Sequence, residues 1–328
     1  MALTAESLYY PPGNQHIASL RDFGSVNHLH SYFRSMSHNN DPYTSPIIII
    51  GMHRSGTSFL TGMLEGAGVW IGDGNGELNE SKFFLDLNED MLGQTGGSWE
   101  YPQPIKHLLN NQTLRTLKVN YLRELVQSRA IRNFLGPKRY RKEKNLFAMT
   151  SPWGWKDPRN TFTLPIWLDL FPSAKVIHIT RHGVDVANSL VTRREKEIKR
   201  AKKRAIKLER RGFAKIPRDP IRATTMRCDT LESAFELWHE YLEEAHHQMS
   251  QLGEAQGLTM SYEALLAEPR EQFERLVEFL GLSVTRDQTD AALAHIKSSR
   301  RMAFRQHPEL SRFAKTQKAR LDRFGYSV

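Results

Sequence analysis

Ser45-Pro-Ile-Ile-Ile-Ile-Gly-Met-His-Arg-Ser-Gly-Thr-Ser-Phe-Leu60 is the stretch from which the fold can be read. Four consecutive isoleucines suit a strand buried on both faces, the usual state of a central parallel strand. A loop, Gly51-Met-His-Arg-Ser-Gly56, follows at once. Behind it Phe59, Leu60, Met63 and Leu64 recur at helical spacing after Thr57 and Ser58, which predicts a helix starting near Thr57. A strand, a glycine-bearing loop and a helix start aim backbone N–H groups and the positive end of a helix dipole at one point, a site for phosphate or sulfate. The glycine spacing approaches a nucleotide triphosphatase P-loop, but Thr57 stands where that motif needs lysine. The cation of the loop is Arg54, whose planar fork suits a tetrahedral oxyanion. The plainer alternative is an ordinary strand-to-helix turn that happens to hold two glycines and an arginine.

A second unit repeats the logic. Ala174-Lys-Val-Ile-His-Ile-Thr180 predicts another buried strand, followed by Arg181-His-Gly and a helix from Val184. Ligands of open α/β sheets bind outside the carboxyl ends of strands, so Arg181 and Ser189 can converge there on one anion. A serine bonded to its own helix backbone is the bland reading of Ser189.

The first loop, Arg54-Ser-Gly-Thr-Ser58, resembles that of the sulfotransferases that use 3′-phosphoadenosine 5′-phosphosulfate (PAPS). The resemblance implies that Arg54, Ser55, Gly56, Thr57 and Ser58 hold the phosphosulfate and that Phe59 lies near the adenine, although Phe59 reads equally well as a core residue. Arg181 and Ser189 keep the spacing of the family's 3′-phosphate site. Tyr262, in Tyr262-Glu-Ala-Leu-Leu-Ala-Glu-Pro269, matches an element that places a tyrosine beside the nucleotide. Lys156, in Trp153-Gly-Trp-Lys-Asp-Pro-Arg159, falls where tyrosylprotein sulfotransferases carry a lysine on the transferring group. An ammonium or guanidinium there stabilises charge developing on the leaving oxygen, which makes Lys156 and Arg54 the catalytic cations. A buried salt bridge to Asp157 or another carboxylate is the alternative for Lys156. The matching elements span about residues 46–70, 152–191 and 256–283.

The acceptor also needs a base. Glu77 lies close to the position of a catalytic glutamate in the tyrosylprotein enzymes, with Glu80, Asp86, His53 and His182 as runners-up. Asn79-Glu-Ser-Lys-Phe-Phe-Leu-Asp86 lacks the Pro, Gly and Glu of the related bacterial pattern.

Of 328 residues, 39% are apolar and 25% charged, the composition of a globular protein with ample material for a core. The single cysteine, Cys228, excludes an internal disulfide and fits a reducing compartment. No signal-like start or spanning apolar run is evident, so the chain reads as cytoplasmic. The net charge of +10 is concentrated in residues 193–218, read as a basic helical insertion whose thin apolar stripe of Ile198, Ala201, Ala205 and Leu208 is bordered by basic residues. Such a cluster attracts an anionic glycan or an acidic membrane surface, unless it is simply a solvated helix. Interleaved aromatics and zinc-ligand spacing are missing, which argues against nucleic acid.

The expected architecture is α/β: a short parallel β-sheet flanked by helices, a P-loop-like PAPS-binding core in one domain over residues 1–328. Residues 1–44 form an irregular leader and 284–328 a helical tail. Residues Gly66–Glu77 read as a mobile glycine loop, and 113–134 as one helix ending at Gly136-Pro137. The expected activity is transfer of a sulfuryl group from PAPS to a hydroxyl or amine, with no metal. The competing classes are a P-loop kinase, disfavoured by Thr57, and a non-catalytic polyanion-binding protein.

Overall fold

The computed structural model describes residues 45–73, 80–211, 225–294 and 301–328, without the side chains of 207–211. All of these fall within one compact unit, Tyr43–Val328.

Four parallel strands form the sheet: β1 (Ile47–Ile50), β2 (Gly154–Lys156), β3 (Lys175–Thr180) and β4 (Gly257–Ser261), in the order β2-β1-β3-β4. Ile48 lies opposite Trp155 on one side and Val176 on the other. The four isoleucines are all buried because alternate side chains enter two different cores. Ile48 and Ile50 pack with Phe84, Trp155, Trp167 and Trp238, whereas Ile47 and Ile49 join Leu60, Met63, Ile177, Ile179, Met260 and Leu276. In the first core Phe84 stacks on Trp155 with ring centres 4.0 Å apart. These large rings bring apolar area and a preferred geometry together.

Helix α1 (Thr57–Gly66) and α2 (Lys82–Gln94) follow β1. The helix expected over 113–134 is divided into α3 (Gln112–Leu125) and α4 (Arg132–Tyr140) by a short 3₁₀ turn, and Gly136, at φ 70°, kinks the second piece. Proline at 137 cannot donate to a helical hydrogen bond, which accounts for the break falling there. Val119, Leu122 and Val126 are buried, whereas Leu114, Leu117 and Tyr121 face solvent.

The glycine loop is also more ordered at its start than its composition suggests. Trp70 bridges in parallel to Trp153, Gly154 N–H donates to its carbonyl, and Val69 and Ile71 are buried. Residues 74–79 lie outside the described residues.

Beyond β2 come α5 (Asn160–Leu170), β3, the long α6 (Gly183–Arg211), and α7 (Leu231–Ser250), which packs on α6. Thr230 and Ser233 cap α7 reciprocally, satisfying N–H groups that have no partner within the helix. After β4 come α8 (Tyr262–Ala267), α9 (Pro269–Leu280), α10 (Arg286–Leu293), α11 (Pro308–Thr316) and α12 (Lys318–Asp322). Among the described residues no helix is long and apolar enough to cross a membrane.

Candidate active site

The strand order sets the position of the site. The chain leaves β1 toward β2 on one side and returns to β3 on the other, so a crevice opens at the carboxyl ends of β1 and β3. The loops Gly51–Gly56 and Arg181–His182 emerge on its two sides.

The first loop is pinned from below. Gly51 N–H donates to Thr161 Oγ1 at 3.0 Å, and Asn160 Nδ2 donates to the carbonyl of Ile49 at 3.0 Å, both partners lying at the start of α5. Ser55 is buried and its N–H donates to the Met52 carbonyl. Arg54 adopts φ 70°, a left-handed conformation that a side chain rarely takes and that recurs at functional turns. Gly56 has φ 96°, and a Cβ there would lie 2.3 Å from Cδ2 of Tyr262. Helix α1 begins after Gly56 without a side-chain cap hydrogen bond, so its first N–H groups are not tied up by a capping residue.

Several expected site residues meet over this loop. Arg54 Nε donates to Ser189 Oγ at 2.9 Å, and an Arg181 N–H donates to the Arg54 carbonyl at 3.2 Å. The Arg181 guanidinium lies 4.7 Å over the Tyr262 ring, and Phe59 meets the same ring edge-on at 6.1 Å. Arg181 is braced by Asp185 at 3.6 Å, and its carbonyl accepts from Trp238 Nε1. Asp185 also accepts the N–H groups of Ala303 and Phe304, tying the C-terminal segment to α6.

Lys156 closes the end of β2. It is 1% exposed, and its Nζ donates to Glu80 Oε1 at 2.9 Å. Burial holds the ammonium below its usual range, opposed by the Glu80 carboxylate. The neighbouring turn rests on a buried polar network. Asp157 accepts from Asn88 and from Arg159, Asn160 accepts from Asn88 and Trp155, and Arg159 reaches Glu89. These pairings satisfy groups whose burial without partners would be costly.

Of the base candidates, Glu77 lies outside the described residues. Glu80 is paired with Lys156, and Asp86 is paired with Lys82 on an exposed face of α2. His182 stacks on Phe304, contacts the Ser327 carbonyl at 3.3 Å, and is pushed down to about 4 by burial, so it serves the C-terminal tail. His53 is buried in the loop, edge-on to Trp99 at 4.6 Å and to Tyr241 at 6.2 Å. Sequence reasoning missed Asn160 and Thr161 as the residues that clamp the loop. Their signal is a polar pair opening an otherwise apolar helix.

A parallel α/β sheet whose switch point carries a strand–loop–helix turn and a pair of converging arginines defines a P-loop-like fold. The chain belongs to the sulfotransferase family, whose model matches residues 46–287. No curated protein matches the sequence. Among solved structures the chain resembles the sulfotransferase domain from the curacin biosynthetic pathway, at 16% identity over 87% of this chain and 99% of that one, with a TM-score of 0.47. It also resembles the sulfotransferase domain of the Synechococcus PCC 7002 olefin synthase, at 17% identity over 89% of this chain and 98% of that one, TM-score 0.45. A third likeness is to retinol dehydratase in complex with androsterone and inactive cofactor PAP, at 14% identity over 86% and 82% of the two chains, TM-score 0.39.

Proposed function

We propose that the protein transfers a sulfuryl group from PAPS to an acceptor hydroxyl or amine. The observation that carries this reading is the meeting of Arg54, Ser189, Arg181 and Tyr262, brought from three separate segments to one crevice. Their chemistry fits the donor. Arginine and serine donors suit the 3′-phosphate, the loop N–H groups and the start of α1 suit the 5′-phosphosulfate, and the Tyr262 and Phe59 rings suit an adenine. Gly56 leaves beside Tyr262 the space that any Cβ would fill.

In the transfer the acceptor oxygen or nitrogen bonds to sulfur as the bond from sulfur to the phosphate oxygen breaks, and the leaving phosphate keeps the electron pair. Lys156, buried and oriented by Glu80, stabilises that developing charge. The acceptor proton passes to a carboxylate, either Glu80 or Glu77. The hydrogen bond between Lys156 and Glu80 fixes the direction of the Glu80 carboxylate beside the proposed point of transfer.

The exposed lysines and arginines of α6, including Lys196, Lys199, Arg200, Lys202, Lys203 and Arg204, extend from the helix that carries Ser189. They favour an acidic acceptor such as an anionic glycan. The whole chain from 1 to 328 is read as one catalytic domain with this basic insertion.

The test is calorimetry with 3′-phosphoadenosine 5′-phosphate (PAP), 5′-AMP and ATP, followed by label transfer from PAPS to a panel of glycans, lipids, phenols and peptides. PAP is expected to bind at least about tenfold more tightly than 5′-AMP, the worth of a charge-assisted contact to the 3′-phosphate. Equal affinities would overturn the assignment of Arg181 and Ser189.

A further inference from the structure

One buried polar group beside the donor loop has no role in the reading above. His53 is 6% exposed, and its Nε2 has no hydrogen-bond partner among the described residues. A buried imidazole nitrogen without a partner is uncommon and asks for an explanation. The ring is held edge-on by Trp99 and Tyr241, which fixes its plane.

The charged groups acting on the ring are Arg159, Arg193, Lys156 and Arg54, and all four are side chains that only donate. None of the four donates to Nε2. An Nε2–H would find nothing to bond until an anion arrived. Burial and these four cations also hold the ring neutral, its pKa well below the usual range, so it is a poor proton acceptor and keeps a single N–H to donate. His53 stands one residue before Arg54, in the loop that delivers backbone N–H groups to the phosphosulfate, and within the field of Lys156.

We propose that His53 is a catalytic residue whose Nε2–H donates a hydrogen bond to an oxygen of the transferring sulfuryl group. This rests on the reading of the crevice as a PAPS site and deepens it, because it assigns the group that tells the sulfurylated donor from the desulfated product. The five-donor fork of Arg54 and the point charge of Lys156 attract any anion. A neutral donor fixed in direction by two aromatic rings adds a geometric condition that a terminal sulfuryl group meets and PAP does not.

The experiment is equilibrium binding of PAPS and PAP to wild type, His53→Phe and His53→Gln. Phenylalanine keeps a ring against Trp99 and Tyr241 but removes the nitrogen, whereas the glutamine amide can offer an N–H in its place. His53→Phe is expected to weaken PAPS binding about tenfold or more while PAP affinity stays within about twofold. His53→Gln is expected to recover most of the loss. Unchanged PAPS affinity in His53→Phe, or an equal loss for both ligands, overturns the proposal. Wild type that binds neither ligand refutes the donor site itself, and the role of His53 with it. Should His53→Phe fail to fold, ¹⁵N-histidine-labelled wild type decides. The Nε2–H resonance lost in His53→Gln must move on adding PAPS and stay on adding PAP, and identical shifts with the two ligands overturn the proposal.

Discussion

Replacing Lys156 by methionine separates its buried pairing with Glu80 from the catalytic role proposed for it. The ammonium is 1% exposed and its Glu80 partner 10% exposed, so the substitution leaves a carboxylate in a site that excludes most water. Breaking a buried pair from one side costs about 3–5 kcal/mol. The residual exposure of Glu80 places the expected loss at the lower end, about 3 kcal/mol, or a fall in Tm of about 5 °C for a unit of this size. The double variant Lys156→Met with Glu80→Leu removes both charges and is expected to return to within about 1 kcal/mol of wild type, because an apolar pair can replace a buried ion pair at little cost. Turnover should behave differently. Loss of a donor that acts on developing charge lowers kcat by about 100- to 1,000-fold, and restoring stability does not restore that donor. The assay is a thermal melt beside sulfuryl-transfer kinetics and PAP calorimetry on all three variants. A single variant that melts with wild type would refute the account of burial. A double variant that turns over normally would show that Lys156 is structural.

Gly56→Ala places a Cβ 2.3 Å from Tyr262 at a residue with φ 96°; the expected result is a PAP affinity at least about tenfold weaker, and normal calorimetry would refute the cradle. Burial pushes His178 down to about 3 and His182 to about 4. Between those values and the unfolded value of about 6.5 the unfolded chain binds more protons. Stability should therefore fall as pH drops from about 6.5 toward 4, by up to about 1.4 kcal/mol per pH unit for each histidine. Urea midpoints at pH 7, 6 and 5 check this, with a shallower slope in His178→Phe, and a constant midpoint would contradict it. Changing Lys199, Lys202 and Lys203 to Gln should raise the KM for an acidic acceptor without changing donor affinity. The difference from wild type should fade with salt, because screening acts within about 8 Å at physiological ionic strength; parallel kinetics across a salt series would mark the helix as a solvated insertion.

The part of the fold legible in the sequence was the part written in short-range pattern. The isoleucine run, the loop after it, and the placing of Arg181 and Ser189 after β3 all emerge from local periodicity, and the structure joins Arg54 to Ser189. Strand β2 was not legible, because Gly154-Trp-Lys has three residues and no alternation to display. The pairing of Lys156 with Glu80 is a contact between distant parts of the chain, and neither residue's neighbours announce it. The apolar positions Leu114, Leu117 and Tyr121 follow helical spacing yet remain exposed, since periodicity names a face without naming what covers it. The kink at Gly136 could have been read from Gly136-Pro137, but the earlier break after Leu125 carries no proline or glycine. His53 was visible only as one histidine in a basic loop, and its isolation depends on Trp99 and Tyr241 folding over it.

The placing of β1 beside β3 has a further consequence. Their pairing runs from Ile47 with Lys175 to Ile50 with His178, so the distance between the loops that follow them is set by backbone hydrogen bonds rather than by side-chain packing. Between residues 51 and 174 the chain leaves the sheet, touches it again only at β2 on the far side of β1, and returns to it at β3. Changes in length or composition along most of that excursion can reshape what stands over Lys156 without altering the spacing of Arg54 from Arg181. With the proposed donor site in this crevice, the architecture keeps the reagent end constant while leaving the recipient end open to change, so one scaffold could be turned to new acceptors by substitutions that never touch the sheet.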